Sequence, residues 1–133
     1  MAAPPASPDG TPVWFLSLHK DWHVVHWLVA GTAGDATDPV GTAVMGGEEV
    51  GDDLGYGPAM VRTPEQVRGI AAALDALGVD ALMRRYDRRA MLKADVYSAD
   101  AVGKGEARHQ LGALVAFYRR AADDGRAVFT WIS

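Results

Sequence analysis

Cysteine is absent from this 133-residue chain, and with it go disulfide staples, thiol catalysis and thiolate metal sites. Long apolar runs are missing as well. No stretch approaches the roughly 18 residues of a membrane-crossing helix, and the best candidate, 24–30, is interrupted by His26. Positive charge is in short supply: 13 Lys and Arg stand against 17 Asp and Glu, a net charge of -4, so the basic footprint of a nucleic-acid binder is lacking. Residues 1–12 hold four of the seven prolines and no Lys or Arg, unlike the charged and apolar regions of a signal peptide. The expectation is a cytoplasmic protein with neither nucleic-acid nor membrane partners, its residues 1–12 a flexible Ala/Pro-rich arm.

What is present suits one soluble domain over 13–133. Hydrophobic residues make up 49% and charged residues 23% of the chain, and a domain of this length buries about two thirds of its unfolded surface. It needs no cofactor to fold, and none is expected. The apolar segment Val13 to Leu18 predicts a strand. From Asp21, Trp22, Val25, His26 and Val29 share a helical face that Gly31 closes. Asp38-Pro39 opens a short helix ending at Gly46.

Thr63-Pro64-Glu65-Gln66 carries a capping hydroxyl, a first-turn proline and a Gln three residues after the cap, and it opens a stripe of Val67, Ile70, Ala71, Leu74 and Leu77. Asp80 and Asp87 are expected to cap two further short helices. Leu111, Leu114, Val115, Tyr118 and Ala122 mark a long helix over 106–124. The last segment, 127–132, alternates as a strand with two apolar faces, which predicts cover on both sides. The sum is an α+β fold: a small mixed sheet that includes the C-terminal strand, packed against several helices.

Residues 46–58 depart from ordinary packing. Five glycines, four carboxylates (Glu48, Glu49, Asp52, Asp53) and Tyr56 fall within this stretch, which reads as a shaped loop rather than a strand or helix. Seven acidic residues lie between Asp21 and Val61, whereas five basic residues and one acidic residue occupy 84–93. The acidic loop either folds onto the basic segment, stays solvated, or offers a surface to a basic partner. Its paired carboxylates lack the alternating ligand spacing of a calcium loop. His19, His23 and His26 share a helical spacing, but His26 sits in an apolar stripe and no Glu stands between the histidines as in a metalloprotease helix, so no metal site is assigned. Nucleophile elbow, phosphate loop and dinucleotide fingerprint are all missing.

Particular blocks in the chain resemble a known family. Leu18-His19-Lys20-Asp21-Trp22-His23 with His26, Gly46-Gly47-Glu48-Glu49-Val50-Gly51, Gly55-Tyr56-Gly57-Pro58-Ala59, Thr63-Pro64-Glu65-Gln66-Val67, and Val128-Phe129-Thr130-Trp131-Ile132 are similar to the YfbM-like family, domain of unknown function 1877. The resemblance implies a bacterial α+β domain with no defined activity, and it implies that the family's upstream strand and helix are truncated here. The family places an arginine directly after GYGPA, where this chain has Met60, with Arg62 two positions later.

Candidate binding residues are Trp22, His23, His26, Glu48, Glu49, Asp52, Asp53 and Tyr56; no catalytic set is complete. The first expectation is a small binding protein for a protein or small-molecule partner, in an immunity-like version neutralising a basic face. The alternative is a hydrolase using a His and carboxylate pair near Tyr56. Either depends on the acidic stretch lying against the tryptophan helix. Homodimerisation is a third expectation, covering an exposed sheet edge.

Overall fold

The computed structural model describes residues 16, 18–34, 36, 38–45, 48–50 and 59–130, with the backbone alone at 19, 48–50 and 59. A single 3-10 turn, His19–Asp21, leads directly into α1, Trp22–Ala30. Gly31 ends α1 in the left-handed conformation, φ 73, where its N–H bonds the Trp27 carbonyl at 2.8 Å. α1 is buried on more than one stripe: Val24, Val25, His26, Leu28 and Val29 are all enclosed. Leu16 and Leu18, the described residues of the expected first strand, lie in no strand.

The short helix expected from Asp38 to Gly46 is instead a set of hydrogen-bonded turns. Asp38 does cap it, accepting from the Gly41 N–H at 3.0 Å. A Cβ on Gly41 would stand 2.6 Å from both the Ala36 Cβ and the Asp38 Oδ1, so glycine is required for this close turn, and glycine is also what keeps a helix from propagating.

Among the described residues, three strands follow the chain in order: β1, Glu48–Val50; β2, Ala59–Arg62; and β3, Val128–Thr130. Both pairings are antiparallel, so the small sheet is antiparallel where a mixed one was expected. Glu48 and Glu49 therefore lie in a strand, a correction to the loop expected throughout 46–58. The backbone of this segment finds its partners in β2, with Glu48 opposite Val61 and Glu49 opposite Met60.

Four helices join β2 to β3. α2, Pro64–Leu77, begins with the expected reciprocal capping box between Thr63 and Gln66. Its Val67, Ile70, Ala71 and Leu74 are buried, but Leu77 is exposed at the last turn. Gly78, φ 81, ends α2 and caps α3, Val79–Met83, so Asp80 is a first-turn residue rather than the cap. Only glycine adopts that backbone readily, which puts the bend between the helices there. Asp87 caps α4, Arg88–Lys93, through the Ala90 N–H at 3.1 Å, as expected. α5, Lys104–Asp123, buries Ala107, Leu111, Leu114, Val115, Tyr118 and Ala121. It packs on α2, α1 and α3 and forms the centre of the core.

The described residues cover the sheet on one face. Arg62 and Val128, opposite each other, are buried, whereas Phe129, opposite Val61, is 54% exposed. Cover on both sides of the C-terminal strand was expected, but the outer row is left open at Phe129. No helix among the described residues is long and apolar enough to cross a membrane.

Candidate functional site

The tryptophan helix gathers an aromatic column. The Trp22 ring lies 4.8 Å from that of His23 at 14° and 6.2 Å from that of Tyr97 at 27°. His23 and His26 follow at 6.3 Å and 29°. Helical spacing brings the two histidines onto one side. Tyr97 comes from the turn after α4, where Asp95 and Ser98 both take positive φ, 58 and 61. Such backbone is uncommon outside glycine and asparagine. It turns the Tyr97 N–H onto His23 Nδ1 at 2.8 Å and leaves the ring half exposed.

Hydrogen bonds define what these histidines do. His23 Nε2 donates to the Ala33 carbonyl at 2.8 Å, and His26 Nε2 donates to the Gly34 carbonyl at 2.6 Å. Because Nδ1 of His23 accepts from a backbone amide, its ring is the neutral tautomer protonated at Nε2. Both nitrogens of His23 are thus engaged. The histidines fasten the 31–34 segment to α1, and Arg85 holds the same end by donating from Nη1 to the Leu28 and Val29 carbonyls at 3.0 and 2.9 Å. Trp27 Nε1 returns a bond to the Arg85 carbonyl at 2.9 Å. Cationic capping of the last turn also favours the helix dipole.

A second polar cluster lies under the sheet. Arg62 is 1% exposed; its Nε donates to the Thr42 carbonyl at 2.8 Å and its Nη1 to Thr130 Oγ1 at 2.9 Å. Burial lowers the Arg62 pKa from its ordinary value. Tyr118 of α5 is fully buried, donates its hydroxyl to the Ala43 carbonyl, and has its pKa pushed up to about 12, chiefly by burial.

Of the candidate residues, Trp22, His23 and His26 converge. Glu48 and Glu49 occupy β1 at the sheet's edge. Asp52, Asp53 and Tyr56 lie outside the described residues, as does the expected contact of their segment with the tryptophan helix. Tyr97 and Arg62 were not among the candidates. Tyr97 is brought in by backbone conformation that no local pattern announces, and Arg62 by a register that depends on residues far along the chain. Among the described residues, no three His, Asp or Glu side chains are placed to hold a metal ion.

A family model described as "Domain of unknown function (DUF1877)" matches residues 5–131. The chain belongs to the DUF1877 family. Among solved structures, it is similar to the crystal structure of a protein of unknown function, YfbM, from Escherichia coli. The identity is 19% and the TM-score 0.67, over 86% of this chain and 77% of that one. The likeness fixes the α+β fold of this DUF1877 member, whose chemistry must be argued from its own residues. No curated protein matches the sequence.

Proposed function

We propose that this DUF1877 chain is a small binding protein that offers the outer face of its sheet, acidic at the Glu48 position of β1 and aromatic at β3, to a basic partner. The observation that carries this reading is the cross-strand row Glu48, Val61, Phe129, in which Phe129 is more than half exposed. An exposed aromatic with a carboxylate-bearing position on the same cross-strand row provides an apolar anchor with a charged edge, the combination interfaces favour. Charge of this sign speeds and selects encounter with a basic surface, as in an immunity-like protein that shields a nuclease or toxin. The histidines give weight to binding over hydrolysis, because His23 has both ring nitrogens committed to backbone and would have to give up a bond to act as a base.

The test is recovery of partners from native extract by the wild-type chain, by Phe129→Ser, and by Glu48→Gln. Both variants should fold and lose the same specific partner, with wild-type recovery falling steeply as salt is raised. Unchanged recovery by both variants would remove the sheet face from consideration.

A further inference from the structure

The interior holds a full positive charge that its neighbours use only in part. Arg62 spends Nε and Nη1 on Thr42 and Thr130, while its Nη2 is buried and makes no hydrogen bond. No carboxylate among the described residues balances it. The described ion pairs, Arg108 with Asp80 and Arg119 with Asp75, lie on the exposed sides of helices, and the nearby Tyr118 is a neutral phenol at physiological pH. A guanidinium does not shed its proton in a protein, and an isolated buried charge is among the costliest groups a fold can keep. An apolar side chain of similar size would fill the same space at less cost.

The donors around the unspent nitrogen indicate what would balance it. Thr130 Oγ1 accepts from Nη1, and its own hydroxyl proton remains able to donate. Thr130 is half-buried, as is Met60 opposite it, so this side of the cluster is not sealed from solvent. We propose that Arg62 anchors a carboxylate group, held by Nη2 and the Thr130 hydroxyl. One compensating charge and two unspent donors match a planar monoanion. A phosphate dianion would bring a second charge and call for more donors than the cluster supplies. Thr42 and Thr130 each take one donor of the guanidinium and leave Nη2 for the carboxylate. Its source is either a small carboxylic acid or β1 of this same chain, since Glu49 stands opposite Met60, which in turn stands opposite Thr130. This inference is independent of the outer-face reading, because Arg62 and Phe129 belong to opposite sides of the sheet.

The experiment is a titration of the labelled full chain with sodium acetate, with inorganic phosphate and with sodium chloride at matched ionic strength. It is read at the Arg62 Nε–H and the Thr130 methyl signals, with the exposed Arg119 as control. Acetate should give saturable shifts at Arg62 and Thr130 with millimolar affinity, suited to so small a fragment, while chloride gives none and phosphate little. Arg62→Lys should abolish the saturation. Should that variant not fold, Thr130→Val should weaken acetate binding about fivefold, the worth of one hydrogen bond. Saturation in the wild type identifies an external acid. Saturation seen only when Glu48 and Glu49 are both changed to Gln assigns the carboxylate to β1. Absence of saturation in both chains, or an equal response to all three anions, overturns the proposal.

Discussion

Single side chains in this fold carry measurable consequences of burial. The Tyr118 phenol titrates near 10 in the unfolded chain and near 12 in the fold, so the folded state holds this proton more tightly. Its contribution to stability is intact below pH 10 and is lost as pH rises from 10 towards 12, by about 3 kcal/mol over the two units. Tyr118→Phe should flatten that alkaline limb in urea titrations. At neutral pH it should cost about 1–2 kcal/mol for the bond to Ala43. His23 offers a second test. Long-range nitrogen–proton spectra should find Nε2 protonated and Nδ1 bare, and His23→Phe, which keeps the stack on Trp22, should lose about 1–3 kcal/mol by stranding the Tyr97 amide. That His26 would be a hydrogen-bonded core residue was legible from its place on an apolar stripe. Its acceptor, the Gly34 carbonyl, was not, because loop geometry after Gly31 has no periodic signature.

At the level of elements, what could be read was what is decided locally. The Thr63 box and the Gly31 cap act within a few residues of themselves, and both formed where the sequence put them. Thr63→Ala should lower the midpoint of chemical unfolding by an amount equivalent to about 1 kcal/mol, with its m-value unchanged. Asp80 misled because aspartate suits a cap and a first turn alike; Gly78, two residues before it, adopts a backbone that aspartate resists, and Arg108 then takes the carboxylate. The strands were harder to read. β1 and β2 have three and four residues, too few to display a period, and their pairing is settled by each other rather than by the residues within them.

For the whole molecule, stability rests on α5. Its buried stripe meets α2, α1 and α3, and Leu111, fully enclosed near the middle of that stripe, should cost about 2–5 kcal/mol as Leu111→Ala. Denaturant unfolding of that variant against wild type measures it. The same view explains why Tyr97 joins the column on α1: α4 and the turn after it are carried to the tryptophan helix by the α3 to α5 assembly, a long-range outcome that composition could not convey. The open Phe129 points outward from this helical centre, and the unbalanced Arg62 points inward. Global charge counts, which set all basic residues against all acidic ones, blur these two environments together.

The pairing of Arg62 with Val128 also bears on how the chain reaches its native state. The entire helical segment must be traversed before β3 can find β2, and closing so large a loop brings no reward until the ends meet. Assembly of α2 with α5 draws those ends together, so the third strand docks late. In chevron experiments, Val128→Ala should therefore leave the refolding arm nearly unchanged and quicken the unfolding arm, whereas Leu111→Ala should slow refolding. The strand that bears Phe129 and Thr130 is then expected to be the last part of the sheet to join, after the helices have assembled.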